Sequence, residues 1–217
     1  MTAEPYVPDT KDLDELRQGA RACHGCDLYK DAIQTVFGEG PPDARVVMVG
    51  EQPGDIEDRR GEPFVGPAGK VLDRAITESG LDRSATYVTN AVKHFKHRPA
   101  APGKRRIHQT PDRTEIVACR PWLVAEFSLL RPQAVVALGA TAAKALLGPS
   151  FRVTKSRGVP LPWPASAENP DDFAAEVPDG AFVLATLHPS AILRADDREE
   201  AYAGLIADLR VVAAALR

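Results

Sequence analysis

The stretch ARVVMVGEQPG, residues 44–54, joins an apolar run to a polar turn and decides the fold class of this chain. Its first seven residues are mostly apolar and end at Gly50, which is typical of a short strand buried on both faces. Three later runs have the same character: TYVTNAV at 86–92, QAVVALG at 133–139 and FVLATLHP at 182–189. The four runs predict four buried strands.

Helical patterns separate these strands along the chain. The predicted helices cover 67–80, 113–130, 140–148 and 198–217. Strands that alternate with helices pair in parallel and carry helices on both faces of the sheet. We therefore predict an α/β fold, a three-layer α/β/α sandwich with a central, four-stranded, mostly parallel sheet.

Local signals add detail to this outline. Thr10 is a suitable N-cap for a further helix that runs to about Ala22. Pro121 lies inside a predicted helix, where it removes one backbone hydrogen bond and is expected to bend the helix. Two proline-rich stretches, 94–112 and 152–180, are irregular, and the second is expected to be a surface excursion.

Composition limits the class of protein. The chain has 217 residues, 44% of them hydrophobic, which suits one globular domain over 1–217. There is no run of eighteen apolar residues and the first residues are acidic, so we expect a cytoplasmic protein without a membrane span. Three cysteines argue against a disulfide framework and for thiols that act as ligands.

Positive charge is concentrated in one region of a chain whose formal net charge is −3. Between Lys93 and Arg113 there are seven Lys or Arg residues and one acid, Asp112. This region includes GKRRIHQTP, residues 103–111, which places His108 beside three cations. Composition leaves two interpretations open: a patch that binds a polyanion such as nucleic acid, or a solvated basic loop.

The cysteines suggest a metal site. Cys23 and Cys26 form a C-x-x-C pair, which can be a metal knuckle, a redox pair or two unrelated thiols. The redox interpretation expects a preceding strand, and none is predicted. A metal site needs two more ligands, and Cys119 is one. The candidates for the fourth are His24, His94, His97 and several carboxylates.

Ligands of parallel α/β sheets bind at the carboxyl ends of the strands. The segments that follow the four predicted strands are GEQPGD at 50–55, NAVKH at 90–94, GATAAK at 139–144 and HPS at 188–190. Three of them carry reactive or hydrogen-bonding side chains. We expect these side chains to converge at one edge of the sheet.

Five motifs in this order resemble the uracil-DNA glycosylase superfamily, in particular its iron–sulfur branch. They are GEQPG at 50–54, PFVGPAG at 63–69, YVTNAVKHFK at 87–96, ACRPWL at 118–123 and HPS at 188–190. Two departures from that branch, His94 in place of a cysteine and the insertion KRRIH at 104–108, are shared with its UdgX sub-branch.

The resemblance implies a [4Fe–4S] cluster. Its ligands would be Cys23, Cys26, His94 and Cys119, in a subregion built from 20–30 and 94–120. One neutral imidazole among three thiolates leaves the cluster less negative than four thiolates would, which raises its reduction potential. A Cys₃His site also suits zinc, so the sequence leaves the metal open.

The resemblance also implies a partner, uracil-containing DNA, and a pocket for a flipped uracil. Phe64 would stack on the base, and the Asn90 amide would pair with its edge and reject cytosine. Gln52 and Asp55 would line the uracil site. His188 would stabilise the departing uracil anion.

DNA contacts are implied on both sides of this pocket. Lys104, Arg105 and Arg106 would bind backbone phosphates, as would Ser190. Ile192 and Leu193 could wedge into the gap left in the duplex. We expect a monomer that favours single-stranded DNA, because a loop of this reach suits accessible strands.

The final step implied by the UdgX resemblance is covalent. His108 would attack the anomeric carbon after uracil leaves, and Glu51 would orient its ring. Gln52 stands where hydrolytic relatives carry a water-positioning carboxylate, and an amide cannot act as a base. Two alternatives remain open from sequence: a turnover uracil-DNA glycosylase that leaves a free abasic site, and a non-enzymatic nucleic-acid-binding module.

Overall fold

A five-stranded sheet forms the centre of the computed structural model, which describes residues 1–98, 106–173 and 177–217. The strands in chain order, including two of a separate hairpin, are β1 Val46–Gly50, β2 Thr86–Asn90, β3 His97–Arg98, β4 Ile107–His108, β5 Ala134–Leu138, β6 Leu161–Pro162 and β7 Phe182–Thr186. The sheet order is β2-β1-β5-β7-β6, with the first four strands parallel and β6 antiparallel to β7.

The predicted mostly parallel sheet is confirmed, but the number of strands was wrong: the sheet has five, not four. The missed strand, β6, has two residues, and one of them is Pro162. So short a segment has no periodicity, and proline is tolerated there because β6 is an edge strand.

Helices cover both faces of the sheet. In chain order they are α1 Leu13–Ala20, α2 Asp55–Arg60, α3 Pro67–Ser79, α4 Arg113–Leu130, α5 Gly139–Leu147, α6 Val153–Ser156, α7 Pro189–Ile192 and α8 Arg198–Ala215. Alternate residues of β1 belong to two different apolar cores, Val47 and Val49 to one, Val46 and Met48 to the other. The predicted three-layer arrangement follows from this alternation.

The first helix is shorter than predicted. Asp12, not Thr10, is its N-cap, because the Asp12 carboxylate accepts hydrogen bonds from the backbone amides of Asp14 and Glu15. Thr10 instead donates its hydroxyl to the Glu15 side chain. A carboxylate beside free amides at a helix N-terminus is stabilised by the helix dipole as well as by hydrogen bonds.

The basic region contains a small hairpin that periodicity did not predict. Strands β3 and β4 are antiparallel, with His97 opposite His108 and Arg98 opposite Ile107. Lys104 and Arg105 lie outside the described residues. The hairpin presents His108 toward the carboxyl ends of the parallel strands.

The segment 152–180, expected to be a surface excursion, contributes to the core. Trp163 and Phe173 are each 5% exposed and pack with Phe127 of α4. Arg120 of the same helix forms an ion pair with Glu168 at 3.0 Å. In the parts of the chain that the structure describes, no helix has the length and apolar character needed to span a membrane.

Candidate active site

A cavity of about 800 Å³ opens where the carboxyl ends of the parallel strands meet. It is lined by residues that follow β1, β2, β5 and β7, as the strand order requires, and by the β4 residue His108. Strands β1 and β5 are neighbours although β2 follows β1 in the chain. The cavity therefore lies at a topological switch point, the usual binding crevice of such sheets.

Asn90 and Phe64 meet over a glycine at one end of the cavity. A Cβ atom on Gly50 would lie 2.4 Å from Asn90 Oδ1 and 2.7 Å from Phe64 Cζ. Phe64 has a positive φ of 57°, an uncommon conformation for a bulky residue and one found at functional sites. Its backbone passes so close to Gly69 that a side chain there would collide with the Phe64 carbonyl.

His188 is a neutral hydrogen-bond donor to the cavity. Burial lowers its pKa to about 4. The Ser190 backbone amide donates to His188 Nδ1 at 3.1 Å, and this leaves Nε2 as the protonated nitrogen. The ring of His188 lies 6.3 Å from that of Phe64, centroid to centroid.

Glu51 stands between His108 and Thr141. One of its oxygens, Oε2, accepts a hydrogen bond from the Thr141 hydroxyl. The other, Oε1, is 3.2 Å from His108 Nε2. That contact lacks hydrogen-bond alignment, so Oε1 is a buried acceptor without a donor among the described residues. Burial by itself would raise the pKa of Glu51, but His108, Thr141 and His188 together lower it below its usual value.

Gln52 lines the cavity, and its side-chain amide hydrogen-bonds to protein backbone. Its amide nitrogen donates to the carbonyls of Lys96 at 3.1 Å and Gln109 at 2.9 Å, and its oxygen accepts from the Lys96 amide at 3.0 Å. Lys96 precedes β3 and Gln109 follows β4. Gln52 therefore joins both ends of the hairpin to the end of β1, and its contact with uracil stays a prediction.

Arg106 and Asp55 pair with each other. Arg106 Nε is 2.5 Å from Asp55 Oδ1, and Arg106 NH1 is 2.7 Å from the fully buried Asp58 carboxylate. Burial would raise the pKa of Asp55, but hydrogen bonds from Arg106 and Arg59 lower it. The Arg106 side chain is only 11% exposed, and this geometry supports anchoring of the hairpin. The phosphate contact of Arg106 stays a prediction.

Most cations of the basic region that the structure describes are neutralised internally. Lys93 is fully buried, Lys96 forms ion pairs with Asp112 and Glu115, and Arg113 pairs with Glu168. Only Arg98 among the described cations of this region is exposed without such a partner. A count of charges in the sequence therefore overestimates the positive surface.

The HPS segment is positioned by its own short helix. The Ser190 hydroxyl is 2.8 Å from His188 Nδ1 and accepts a hydrogen bond from Arg194 at 3.4 Å. The hydroxyl predicted to bind phosphate therefore already has two partners within the protein. Ile192 is 4% exposed and belongs to the core, so it cannot be a wedge. Leu193 lines the cavity and stays a candidate for that role.

The three cysteines are buried reduced thiols in one apolar cluster. Burial is the main cause that raises the pKa of Cys119 to about 12, opposed by Lys93 and aided by smaller effects of Cys26 and Cys23. The Lys93 amide donates to Cys119 Sγ and the Trp122 indole to Cys23 Sγ, each at 3.2 Å. Hydrogen bonds to sulfur of this kind stabilise metal-bound thiolates.

His94 suits a fourth ligand better than the other histidines near the cysteines. It is 4% exposed, and burial lowers its pKa to about 4, which keeps the imidazole neutral as a ligand must be. His24 is exposed and stacks on Tyr29, while both His97 nitrogens contact carbonyl oxygens. Within the described chain, no group of three or more His, Cys, Asp or Glu side chains could hold a single metal ion.

Sequence reasoning missed several residues that shape the site. Lys93 donates to Glu126, Thr89 and the Asn90 carbonyl, and so connects the cysteine cluster to the base end of the cavity. Glu57 accepts the Gly66 amide at 2.9 Å and holds the Phe64 loop. Among the residues that shape the site, Gly50 did carry a signal in the sequence. A glycine between an apolar strand and a polar turn indicates that another part of the protein approaches its backbone closely.

The fold and the cavity define the class of this protein, and comparison with known families agrees. Residues 37–210 match the model of the uracil DNA glycosylase superfamily. The chain belongs to that superfamily.

Within the superfamily, the chain is similar to type-4 uracil-DNA glycosylases. It is 36% identical to that of Thermotoga maritima over 183 residues, 84% of this chain and 83% of the relative. It is 34% identical to that of Sulfurisphaera tokodaii over 83% of this chain and 76% of the relative, and 40% identical to that of Pyrobaculum aerophilum over 63% and 65%. These similarities support excision of uracil from DNA.

Proposed function

We propose that this protein excises uracil from DNA and then bonds covalently to the abasic sugar through His108. The observation that carries the proposal is the position of His108: its Nε2 lies 3.2 Å from Glu51 in the cavity that also holds Asn90, Phe64 and His188. A nucleophile and its orienting carboxylate thus stand beside the groups suited to a flipped base.

Recognition rests on Asn90, Phe64 and Gly50. The Asn90 amide offers a donor and an acceptor to the edge of uracil, whereas cytosine presents the reversed pattern and leaves buried groups unpaired. Phe64 supplies a stacking surface, which contributes about 1–3 kcal/mol per base in proteins that bind unpaired nucleotides. The absence of a side chain at Gly50 keeps the space between them open.

Bond cleavage places the electron pair of the C1′–N1 bond on uracil and a positive charge on the sugar. His188 is suited to stabilise the uracil anion, because its Nδ1 accepts from Ser190 and its Nε2–H can donate to a uracil oxygen. A neutral imidazole serves here as a fixed donor and need not lose its proton. Ionised Glu51 lies close enough to favour the positive sugar.

Capture forms a bond between C1′ and an imidazole nitrogen. Once the 3.2 Å contact tightens on substrate binding and Nε2–H points at Glu51, Nδ1 of His108 carries the lone pair that attacks the sugar. The Nε2 proton of the resulting imidazolium can pass through Glu51, and one proton returns to the uracil anion, so atoms and charge balance. An alkylated imidazole is a poor leaving group, and each protein molecule would act once.

A [4Fe–4S] cluster is the cofactor that we propose, held by Cys23, Cys26, His94 and Cys119. The burial of all four residues, the N–H···S bonds and the neutral imidazole support this ligand set. A four-iron cluster accepts each ligand on a different iron, whereas zinc requires all four around one point. The cluster would supply a rigid, redox-capable anchor for the hairpin region.

The DNA partner is proposed to be single-stranded by preference and the protein to be a monomer. Phosphate ligands would come from Lys104 and Arg105, which lie outside the described residues, and Leu193 would act from the lining of the cavity. In this proposal Arg106 anchors the hairpin that carries His108, and Ser190 orients the His188 ring. The cytoplasm is the compartment we expect.

A turnover uracil-DNA glycosylase is the second candidate, and the similarity to type-4 enzymes favours it. It would release many uracils per protein molecule and leave alkali-labile abasic sites. The two functions differ in stoichiometry and in the fate of the protein.

The test mixes the protein with uracil-containing single-stranded DNA and separates the products on a denaturing gel. We expect a slow band that survives heat and detergent, with one uracil released per protein molecule. His108→Ala should lose that band while keeping DNA affinity, with His97→Ala as the matched control from the facing strand. Multiple turnovers without the band would instead establish the second candidate.

A further inference from the structure

Thr141 is the residue that holds the carboxylate of Glu51. It lies in the first turn of α5, which directly follows β5, and its hydroxyl donates to Glu51 Oε2 across 90 positions of sequence. Because β1 and β5 are neighbours in the sheet, the two side chains meet at the switch point. Nothing in the motifs of the sequence marks this threonine.

The contact determines which oxygen faces the nucleophile. A carboxylate can rotate so that either oxygen points into the cavity, but a hydroxyl donor on Oε2 leaves Oε1 for His108. Oε1 is 3.2 Å from His108 Nε2 and is otherwise a buried acceptor without a donor in the part of the chain that the structure describes. Such an unsatisfied oxygen is costly unless a partner closes on it, and contacts of this kind tighten when substrate binds.

We propose that Thr141 is a positioning residue that orients Glu51 and keeps it ionised, so that Glu51 can hold the His108 ring for attack. This inference rests on the proposed covalent function. The inference adds Thr141 of α5 to the pair formed by Glu51, at the end of β1, and His108 of the hairpin.

The groups around Glu51 favour its ionised form. His108 approaches from β4 and His188 from the N-cap of α7, and α5 directs the free amides of its first turn to the same side. The nearest other cations are otherwise engaged, since Arg106 pairs with Asp55 and Asp58, and Arg194 donates to Ser190. The hydroxyl of Thr141 is the one donor aligned for a hydrogen bond to this carboxylate within the described chain.

A simpler role for Thr141 would be to fill space at the start of the helix. The two roles differ in their response to isosteric replacement. Thr141→Val keeps the shape and removes the donor, whereas Thr141→Ser keeps the donor and removes a methyl group. A packing role predicts that serine is the worse replacement, and a positioning role predicts that valine is.

The first measurement is the single-turnover rate of adduct formation on a uracil-containing single-stranded oligonucleotide between pH 4.5 and 8.5. We expect Thr141→Val to slow the adduct about tenfold to a hundredfold at pH 7, the scale of a misplaced catalytic group. Its acid limb should move to higher pH, because the lost donor raises the pKa of Glu51. Thr141→Ser should stay within about threefold of the wild type.

The second measurement titrates the Glu51 carboxyl directly by carbon-detected NMR in the DNA-free protein, with Glu51→Gln to assign the signal. We expect a higher pKa in Thr141→Val than in the wild type and in Thr141→Ser. An unchanged pKa, or valine and serine variants with equal rates, would overturn the role of Thr141. A wild type that releases uracil without an adduct would overturn the covalent function. The titration would still show whether the Thr141 hydroxyl lowers the pKa of Glu51.

Discussion

At the scale of single residues, two ionisable side chains of the cavity differ in charge because their surroundings differ. Burial lowers the pKa of His188 to about 4, so this histidine is neutral at physiological pH. Glu51, although also buried in part, has a lowered pKa because His108 and Thr141 contact its oxygens. In both cases the pKa is lowered, which leaves the histidine neutral and the carboxylate ionised. Perturbed pKa values in neighbouring groups are typical of active sites. The neutral donor and the ionised carboxylate suit a reaction that develops charge of both signs.

Gly50 offers a residue-scale prediction. Gly50→Ala would place a methyl group 2.4 Å from Asn90 Oδ1 and 2.7 Å from Phe64 Cζ, so both side chains must move. Overpacking of this kind costs about 1–3 kcal/mol, and we expect kcat/KM for uracil release to fall roughly 5-fold to 100-fold.

The control for Gly50→Ala is Gly204→Ala in α8, where the three atoms nearest to a Cβ all belong to the end of the Arg157 side chain. Single-turnover uracil release and the melting temperature should be measured for both variants. Wild-type kcat/KM in Gly50→Ala would show that the space above this glycine is not used by the base.

At the scale of elements, the hairpin of β3 and β4 is held to the rest of the protein from two sides. Gln52 hydrogen-bonds to the backbone just before β3 and just after β4, and Arg106 pairs with two carboxylates on α2. The hairpin is too short to be stable by its own ladder, since isolated hairpins are marginal in water. The position of His108 is thus set by side chains from other elements.

Gln52→Ala tests this dependence. Removal of the side-chain amide leaves the Lys96 N–H and the Gln109 carbonyl without the Gln52 partner, whereas the Lys96 carbonyl still accepts from the Gln109 amide. The expected cost is about 1–3 kcal/mol. We expect adduct formation to slow about tenfold to a hundredfold, while release of the first uracil changes much less. The reason is that neither Asn90 nor His188 hydrogen-bonds to the part of the hairpin backbone that the structure describes.

Two further variants sharpen the Gln52 test. Gln52→Glu should be at least as defective, because a carboxylate cannot donate to the two carbonyls. Gln133→Ala, which removes a single exposed contact with Arg45 at the other end of the sheet, should behave as the wild type. Equal losses of adduct and uracil release in Gln52→Ala would contradict a role confined to the hairpin.

At the scale of the whole molecule, buried ionisable groups link stability to pH. His188 has a pKa of about 4 in the folded protein against the 6.5 of an ordinary histidine. The unfolded chain therefore binds this proton first, and stability falls as pH drops from about 6.5 toward 4 and is constant above. For one group the loss approaches about 3 kcal/mol at the acid end.

The measurement compares urea unfolding of the wild type and His188→Asn at pH 7.5 and pH 4.5. Asparagine does not titrate, so we expect the variant to lose about 2–3 kcal/mol less than the wild type over this interval. Comparison of two proteins cancels the other groups that titrate. The same pH dependence in both would mean that His188 is charged or exposed in the folded state.

The cysteine region shows how far the sequence alone can reach. The C-x-x-C pair and Cys119 stand out in a chain with three cysteines, and their burial in one cluster agrees with a common role. The fully buried Lys93 could not be inferred, since seven cations in a short region indicate a surface. Its burial depends on Glu126, which lies 33 positions away on the helix that also carries Cys119.

The sequence by itself determined the α/β class, the order of the four parallel strands along the chain and the edge of the sheet where the site lies. These follow from apolar runs, because a strand buried on both faces must be apolar throughout. Only the tertiary structure decided what each polar side chain does. Gln52 meets Gln109 across 57 positions and Glu51 meets Thr141 across 90. Partners at such separation leave no periodic trace in sequence, since they are brought together by the pairing of strands and not by local geometry.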